Sequence, residues 1–308
     1  MANIFVQIAA YRDPELLPTL ENALLRAKYP DKIFFGICNQ VATPGDRIPS
    51  SRQRRVLEVQ SSDSKGMSWA RVMAQGLWDG EDYCLQIDSH MRFTQDWDKL
   101  LIEMLQQCES QKPVISAYLP NYSPPDETEA SLALRIGALE FYQSTGILRL
   151  KAGASCHVDK PALGSFTCGH FIFAPHLFFR EVPPDPNIYF LGEEISIAVR
   201  AWTRGWDIYH PSRVVCYHKY SRDGRVKHWE EHKYWSAVDS FSMQRCRELF
   251  GIERVTRDFG IFGLGTQRSL KDYEEFSGVS FKNQTISDAA KLGIPNQQVE
   301  NQYGQFRL

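Results

Sequence analysis

The sequence predicts an α/β fold built around a mostly parallel β-sheet. Its opening alternates an apolar, strand-like run at 3–10, a helical pattern at 16–27 and a second apolar run at 32–38. This strand–helix–strand order is typical of parallel pairing, because the helix carries the chain back across the sheet. A second helical pattern at 67–77 leads into a further apolar run that starts at Tyr83. With 308 residues, the chain can bury an ample core in one such domain.

The composition is that of an ordinary globular protein. Hydrophobic residues make up 43% and charged residues 23%, and the net charge is −2. This balance gives no electrostatic reason to expect nucleic acid or an anionic membrane as a partner. The N-terminus lacks a basic leader before Arg12, and no window approaches the apolar length of a transmembrane helix. The seven cysteines are scattered without a CxxC pair, which predicts reduced thiols in a cytoplasmic protein.

The later elements follow from hydrophobic periodicity and turn residues. We expect strands at 56–59, 114–119 and 213–217, helices at 97–107, 195–203 and 228–250, and short helical turns at 271–281 and 287–292. The Gly-rich stretch 260–270 is expected to be a mobile loop, and the region 121–159 shows no assignable pattern. We predict one catalytic domain at 1–285 and a C-terminal tail at 286–308.

The apolar run from Tyr83 ends in Asp88, Ser89 and His90. Ligands of open α/β sheets collect just beyond the carboxyl ends of the strands. Side chains two residues apart along a strand point to the same side, so Asp88 and His90 could meet one divalent cation. The alternative is an ordinary polar turn after a strand.

The joint between the first strand and the first helix is a candidate nucleotide site. The helix N-terminus favours anionic groups, Tyr11 offers a face for a base or ribose, and Arg12 offers a fork for phosphate. These two residues lie between Ala10 and Asp13, and Asp13 is also a plausible helix N-cap before Pro14. The alternative is surface capping. Neither GxGxxG nor GxxxxGK[ST] is present, which argues against ordinary dinucleotide and P-loop sites.

Three further positions could contribute to a site at the same sheet edge. Arg71, near the start of the second helix, could bind phosphate, although an ion-paired or solvated arginine is the alternative. Glu193 and Glu194 begin a helix, where acids often only complement the dipole. They could also face a ligand, and the strand that ends at His218 could supply a third metal ligand.

These residues carry a resemblance to two glycosyltransferase families. The chain resembles the polypeptide N-acetylgalactosaminyltransferases in Gly66-x-x-x-Ala70-Arg71, Asp88-Ser89-His90, Gly192-Glu193-Glu194, Ile195-Ser196-x-x-x-Arg200-x-Trp202 and the distal His218. It more closely resembles the Skp1 hydroxyproline α-N-acetylglucosaminyltransferase family in Ile8-Ala9-Ala10-Tyr11-Arg12-Asp13-Pro14-Glu15, Gly192-Glu193-Glu194-Ile195 and Gly263-Leu264-Gly265-x-x-Arg268-x-Leu270. The resemblance runs from about residue 3 to about residue 281.

The resemblance implies a retaining GT-A glycosyltransferase, with a Rossmann-like domain and a metal-bound UDP-sugar. Asp88, His90 and His218, the first two within a DxH motif, would ligate Mn²⁺, with Mg²⁺ as the second choice. The residues implied at the UDP are Ala10, Tyr11, Arg12, Asp13, Arg71, Ser89 and Arg268, with Arg268 closing over the diphosphate. Glu193 or Glu194 would contact the sugar hydroxyls or the acceptor.

The resulting hypothesis is transfer of GlcNAc from UDP-GlcNAc, or of a related sugar, to a protein hydroxyl on Ser, Thr or hydroxyproline. A saccharide or small molecule is the alternative acceptor. Two other classes are a non-catalytic UDP-sugar-binding protein and a metal-dependent hydrolase, although a hydrolase would need more ligands than the sequence offers. Exposed aromatic residues near 229–242 could form a homodimer, with core packing as the alternative.

Overall fold

The computed structural model describes residues 2–128, 132–156 and 158–296. Its strands are β1 (Ile4–Tyr11), β2 (Ile33–Val41), β3 (Arg54–Gln60), β4 (Tyr83–Ile87), β5 (Met91–Phe93), β6 (Pro113–Ser116), β7 (Tyr122–Ser123), β8 (Glu127–Thr128), β9 (Leu134–Phe141), β10 (Leu148–Ser155), β11 (Ala162–Gly164), β12 (Phe171–Pro175), β13 (Asp207–His210), β14 (Cys216–His218), β15 (Val279–Ser280) and β16 (Thr285–Ile286). Its helices are α1 (Leu16–Arg26), α2 (Met67–Gln75), α3 (Trp97–Gln106), α4 (His176–Glu181), α5 (Glu193–Thr203), α6 (His228–Glu231), α7 (Trp235–Leu249), α8 (Leu270–Ser277) and α9 (Asp288–Leu292).

The central sheet has eight strands in the order β11-β13-β6-β12-β4-β1-β2-β3. β1 pairs in parallel with β2 and with β4, and β13 pairs in parallel with β6, whereas β12 and β11 run antiparallel to their neighbours. β3 pairs in parallel with β2, so six strands share one direction and their carboxyl ends meet at one edge of the sheet. The predicted α/β fold with a mostly parallel sheet is confirmed.

Helices cover both faces of this sheet because successive side chains of a strand point to opposite faces. On β1, Ile4, Val6 and Ile8 join the core formed with α1 and α3. Phe5, between them in sequence, packs in the core formed with α4 and α5. α2 lies on this second face, since its Ala74 carbonyl oxygen closely approaches the position of Gly36 on β2 beside the Phe5 ring. The near-continuous burial of β1 and β2 follows from this two-sided cover.

A long hairpin, β9–β10, occupies the region in which the sequence shows no pattern. It packs against α9 so closely that a Cβ on Gly137 would lie 2.2 Å from the carbonyl oxygen of Lys291. Residues 286–296, which the sequence assigns to the tail, thus include a helix that packs on the hairpin. The rest of that tail, 297–308, lies outside the described residues.

The helix expected over 228–250 is two helices, α6 and α7, separated by His232, Lys233 and Tyr234. The Gly-rich stretch 260–270 is held against the end of α5, where the backbone N–H of Gly265 donates to the hydroxyl of Thr203 at 2.8 Å. None of the described helices is both long and apolar enough to cross a membrane. All seven cysteines are free and buried.

Candidate active site

Strand pairing brings the three expected metal ligands together. Asp88 follows the end of β4, and His90 lies in the turn before β5. β14 pairs antiparallel with β5 so that His218 lies opposite Met91, the residue after His90. Ligand atoms of Asp88, His90 and His218 lie within 4.8 Å of one another. The Oδ2 atom of Asp88 is 3.2 Å from Nε2 of His218 and 3.7 Å from Nε2 of His90.

Asp13 orients His90 within this cluster. Its Oδ2 atom lies 2.7 Å from Nδ1 of His90 and accepts a hydrogen bond from the Ser89 hydroxyl at 2.8 Å. Burial opposes ionisation of Asp13, but the hydrogen bond and charge of His90 outweigh it and lower the pKa of the Asp13 carboxyl. With Nδ1 of His90 turned to Asp13, the other ring nitrogen, Nε2, faces Asp88. Metal-binding histidines usually donate the N–H of their other ring nitrogen to a carboxylate in this way.

Arg71 joins the cluster to the start of α5. Its Nη1 atom lies 2.5 Å from both carboxylate oxygens of Glu193, and its Nη2 atom donates to Oδ1 of Asp88 at 2.9 Å. Arg71 and Glu193 are almost fully buried, whereas the Asp88 side chain is 27% exposed. Burial disfavours the charge of Asp88, yet the His218 hydrogen bond and the Arg71 charge hold its pKa well below the usual value. Asp88 is thus an ionised carboxylate that a cation can reach.

Glu194 has a different role from its neighbour Glu193. Its Oε1 atom accepts hydrogen bonds from the backbone N–H of Gly169 at 2.8 Å and from the thiol of Cys168 at 3.1 Å. Burial raises the pKa of the Glu194 carboxyl. Position 169 has no room for a side chain, because a Cβ on Gly169 would lie 2.7 Å from Nη1 of Arg71. Glu193 is thus held by Arg71, whereas Glu194 is held by Gly169 and Cys168.

His170 lies at the site; for this residue the sequence favours a structural role, with a role facing the acceptor as the alternative. Its ring stacks on that of His218 with the ring centroids 4.5 Å apart, and its Nε2 atom accepts a hydrogen bond from the backbone N–H of Leu119 at 3.3 Å. Burial holds the pKa of His170 well below its usual range, so the ring is neutral. The sequence signal was the Cys-Gly-His motif at 168–170, where the glycine leaves room for a close approach.

Two adjoining cavities open at this sheet edge. The larger, about 410 Å³, is bordered by the metal-ligand cluster, the start of α5 and the β9–β10 hairpin. The smaller, about 140 Å³, is bordered by Tyr11, Gly66, Tyr189, His228 and Trp229, among others. Met67 and Phe190 line both cavities, which makes them neighbouring parts of one cleft.

Tyr11 and Arg12, which the sequence places at a nucleotide site, hold α6 over this cleft. The Tyr11 hydroxyl donates to Glu231 at 2.6 Å, and Arg12 forms an ion pair with the same carboxylate. The Ala10 side chain is fully buried, and its carbonyl oxygen accepts a hydrogen bond from the Gln40 amide at 3.0 Å. Of these, Tyr11 lines the smaller cavity, whereas Arg12 is engaged with α6.

Arg268 lies outside the cleft, contrary to the expected position over the diphosphate. Its Nη1 atom pairs with Asp207 at 2.8 Å, and its guanidinium lies 4.9 Å from the Trp202 ring centre. Asp207 begins β13, which places Arg268 at the amino edge of the parallel strands, opposite the Asp88 edge. The reason is the docking of the Gly-rich loop on the end of α5.

Arg225 is a residue near the site that the sequence analysis missed. It lies in the connection between β14 and α6, and its guanidinium contacts the His90 ring at 2.7 Å. The basic, polar character of 221–227 was the only sequence signal, and such character is typical of any exposed loop. Its position depends on where the loop folds back, which local sequence does not reveal.

Comparison with known proteins agrees with this architecture. The family model Glycosyltransferase (GlcNAc) matches residues 3–55 and 47–283, while no curated protein matches the chain. Among solved structures, the chain is similar to GalNAc-T7 with UDP, GalNAc and Mn²⁺, with a TM-score of 0.61 and 12% identity. That similarity covers 98% of this chain and 58% of the GalNAc-T7 chain. Residues 1–349 of S. aureus TarS give a TM-score of 0.47 and 9% identity over 84% of this chain and 77% of that one.

The similarity to GalNAc-T7 concerns the fold, which is that of the GT-A glycosyltransferases. The family match extends over nearly all of the described residues and includes Asp88, His90, Glu193 and His218. Because the family model matches nearly the whole chain, this chain belongs to the Glycosyltransferase (GlcNAc) family.

Proposed function

We propose that the protein is a metal-dependent, retaining glycosyltransferase that moves GlcNAc from UDP-GlcNAc to a hydroxyl group of a protein. The convergence of Asp88, His90 and His218 at the carboxyl edge of the sheet is the observation that carries this proposal. The family description supports GlcNAc as the sugar.

The donor set fits a divalent cation such as Mn²⁺. Asp88 is ionised and partly exposed, Asp13 fixes the tautomer of His90, and Nε2 of His218 faces the same carboxylate oxygen. One carboxylate and two imidazoles suit Mn²⁺ better than Mg²⁺, which prefers oxygen ligands. A bound cation would neutralise charge on the departing diphosphate. Asp88, His90 and His218 would hold it, and Arg71 would keep Asp88 in position.

The two cavities suggest how the donor is bound. The smaller one offers the flat rings of Tyr11, His228 and Trp229 to the uracil and ribose. The larger one would take the GlcNAc, beside Glu194 and Gly169, and the acceptor. The diphosphate would then lie between them, next to the metal-ligand cluster. This order places the bond that breaks in the larger cavity.

The acids of the larger cavity favour retention of configuration. An inverting reaction needs a carboxylate or imidazole free to take the acceptor proton. The acidic residues that border this cavity are Asp88, Glu193 and Glu194. Asp88 belongs to the metal-ligand cluster, Glu193 is paired with Arg71, and Glu194 is held by Gly169 and Cys168. His170 is stacked and receives a hydrogen bond from Leu119.

The β9–β10 hairpin supports a protein acceptor. It contributes Tyr142, Leu148, Arg149 and Leu150 to the wall of the larger cavity. Apolar side chains beside an arginine suit a polypeptide segment that presents a hydroxyl. A saccharide acceptor is the alternative, and mass spectrometry of glycosylated products in a cell extract would distinguish the two. The seven free, buried cysteines support a reducing, cytoplasmic setting.

Donor hydrolysis tests the proposal directly. Purified protein is given UDP- and GDP-sugars with Mn²⁺ or with EDTA, and the released nucleotide is measured. We expect EDTA-sensitive release of UDP from UDP-GlcNAc. Asp88→Asn and His218→Ala should lower that rate by at least about 100-fold, since metal coordination contributes several kcal/mol.

Asp79→Asn is a matched control, because Asp79 is 83% exposed and lies just before β4, at the strand end away from the site. Its rate should equal that of the wild type. Retention of turnover by both Asp88→Asn and His218→Ala would refute the proposed mechanism. If UDP binds in a metal-dependent manner but no donor reacts, even with extract proteins as acceptors, the non-catalytic alternative would replace it.

A further inference from the structure

Three consecutive residues in the connection between β11 and β12 hold Glu194. The Thr167 hydroxyl donates to the backbone carbonyl oxygen of Glu194 at 2.8 Å. The thiol of Cys168 and the backbone N–H of Gly169 donate to its Oε1 atom at 3.1 and 2.8 Å. The main chain and the carboxylate of Glu194 are therefore both fixed by one short segment, 167–169.

The 167–169 segment is itself held by the central sheet. The Ser116 hydroxyl, at the end of β6, donates to the carbonyl oxygen of Phe171 at 2.6 Å and accepts the backbone N–H of Cys168 at 2.9 Å. The Cys168 side chain is also buried. Packing and hydrogen bonds behind a residue allow it to hold a functional group in one geometry. The Cys168 thiol thus has a fixed place beside Glu194.

The proton of this thiol is directed to Glu194 and not to His170. The Sγ atom lies 3.2 Å from Nδ1 and 3.5 Å from Nε2 of the His170 ring. An atom at such similar distances from both ring nitrogens is off the lone-pair direction of each of them. Nε2 moreover receives the backbone N–H of Leu119 at 3.3 Å. Oε1 of Glu194 is therefore the acceptor of the Cys168 proton.

The second carboxylate oxygen of Glu194 is available to a ligand. Among the described residues, the hydrogen bonds of the Glu194 carboxylate all go to Oε1, and none goes to Oε2. Glu194 borders the larger cavity. In Glu193, by contrast, both carboxylate oxygens lie 2.5 Å from Nη1 of Arg71. Glu194 is thus the acid of this pair that can accept a hydrogen bond from a bound molecule.

The neighbours of Glu194 favour the donor sugar as that molecule. A Cβ on Gly169 would lie 2.7 Å from Nη1 of Arg71, and Nη2 of the same arginine donates to Asp88 at 2.9 Å. The 167–169 segment therefore lies beside the metal-ligand cluster. In the proposed function the sugar is joined to a diphosphate at this cluster, which brings the sugar hydroxyls next to Glu194.

We infer that Cys168 is a positioning residue whose thiol holds Oε1 of Glu194, so that Oε2 accepts a hydrogen bond from a hydroxyl group of the transferred sugar. Glu194 contacts the sugar, and Cys168 acts through Glu194. The inference rests on the proposed function. It adds which of the two acids binds the sugar and what holds that acid in place.

Comparing UDP-GlcNAc with UDP tests the inference, because the two ligands differ only by the sugar. Isothermal titration calorimetry with Mn²⁺ present gives both dissociation constants for each variant. Glu194→Ala should bind UDP-GlcNAc about 10–100-fold more weakly than the wild type, because a hydrogen bond to a carboxylate is lost. Cys168→Ala should bind it about 2–10-fold more weakly, because Glu194 stays but is less well held. Both variants should bind UDP as the wild type does.

Two further variants separate positioning from packing. Cys168→Ser keeps a hydrogen-bond donor beside Oε1, so most of the affinity for UDP-GlcNAc should return. Cys84→Ala is the matched control, because it removes an equally buried thiol near the start of β4, at the strand end away from Asp88. Both of its dissociation constants should equal those of the wild type.

The outcomes distinguish this inference from the proposed function. Wild-type affinity for UDP-GlcNAc in Cys168→Ala or in Glu194→Ala would overturn the inference and leave the donor site intact. The same holds if UDP and UDP-GlcNAc lose affinity equally, or if Cys168→Ser binds as weakly as Cys168→Ala. If the wild type binds neither ligand, the proposed function and the inference both fail. Should Cys168→Ala not fold, Cys168→Val fills the space without a donor and provides the comparison.

Discussion

At the scale of single residues, the carboxylate of Asp13 shows how one side chain prepares another. The sequence favours a helix cap or a uridine contact at this position. In the structure, one oxygen of Asp13 accepts the backbone N–H of Glu15 at 2.9 Å and the other faces His90. The local role at the start of α1 is thus combined with a contact between residues 77 positions apart. Only the second role bears on metal binding.

Replacing Asp13 should weaken metal binding without removing a metal ligand. In Asp13→Ala the His90 ring loses the partner that fixes its tautomer, and we expect about 10–100-fold weaker Mn²⁺ binding. In Asp13→Asn the amide oxygen can still accept the Nδ1 proton, so the loss should be smaller. Mn²⁺ titration of both variants checks this order, with Asp79→Asn as the control. Equal affinity in Asp13→Ala would exclude the supporting role.

Removing Arg71 should destabilise the fold as well as the site. Glu193 is almost fully buried, so Arg71→Ala leaves a carboxylate without its charged partner, and such losses cost about 3–5 kcal/mol. The double variant Arg71→Met with Glu193→Gln removes both charges and should be much less destabilised. Urea unfolding of Arg71→Met, of Glu193→Gln and of the double variant measures the coupling. A cost below about 1 kcal/mol for Arg71→Ala would contradict the buried pair, since that is the range of exposed pairs.

At the scale of elements, the break between α6 and α7 is the clearest departure from the sequence prediction. The stretch 228–250 contains neither glycine nor proline, so its pattern favours one continuous helix. In the structure, α6 turns back over β1, where Glu231 receives hydrogen bonds from Tyr11 and Arg12. His228, also in α6, forms hydrogen bonds with Tyr189 and with Ser64. Tertiary contacts at α6 therefore outweigh helix propensity.

The end of α7 provides a prediction for acid stability. Glu248 accepts hydrogen bonds from Arg257 and Thr256, and these bonds, with Arg257 first, lower the pKa of Glu248 from 4.5 to about 2. Because this pKa is depressed in the folded state, its contribution to stability is complete above the unfolded value and is lost as the pH falls towards the folded one. Glu248→Gln should therefore cost about 1–3 kcal/mol at neutral pH and progressively less in acid.

Urea unfolding at several pH values between about 6 and 3 tests this prediction. Glu103→Gln is the control, because Glu103 forms an exposed i,i+4 pair with Lys99 at 3.5 Å. Such pairs contribute about 0.3–0.5 kcal/mol, so this variant should differ little from the wild type at any pH. If Glu248→Gln lowers the free energy of unfolding by the same amount at every pH, the effect comes from the shape of the side chain and not from its charge.

At the scale of the whole molecule, the two-sided sheet explains the state of the thiols. The seven cysteines lie in buried positions, where ionisation is unfavourable. Burial raises the pKa of Cys38, Cys108 and Cys246 to about 12 in each case. Since the thiolate is the reactive form, the native protein should react slowly with a disulfide reagent, and the protein in denaturant should release all seven equivalents.

Titration with Ellman's reagent, with and without denaturant, checks this expectation. Cys168 borders the larger cavity, but burial and the neighbouring Glu194 raise the pKa of its thiol well above the usual value, so it should react as slowly as the other thiols. Cys168→Ser identifies its contribution, and Cys84→Ser, in the centre of the sheet, is the matched control. Rapid modification of several thiols in the native protein would show that the core opens readily.

The sequence predicts the first half of the sheet well because its signals are local. β1, α1, β2, α2 and β4 lie within a few residues of their expected bounds, and the polar run at Asp88 to His90 follows a strand as expected. The β9–β10 hairpin was missed, since its pattern is interrupted by glycines that serve the contact with α9. Residues 162–175, to which the sequence analysis assigned no element, contain the strands β11 and β12, which pair with different partners.

The sequence by itself thus determined the fold class, the helix and strand pattern of the core and the residue types of a metal site. Those properties follow from periodicity and strand ends, which a short window of chain contains. Tertiary structure decided the rest. His218 contacts Asp88, 130 residues earlier in the chain, and Arg225 contacts His90. Arg268 lies at the opposite edge of the sheet. Strand pairing and loop docking set these distances, and both depend on the packing of the whole chain.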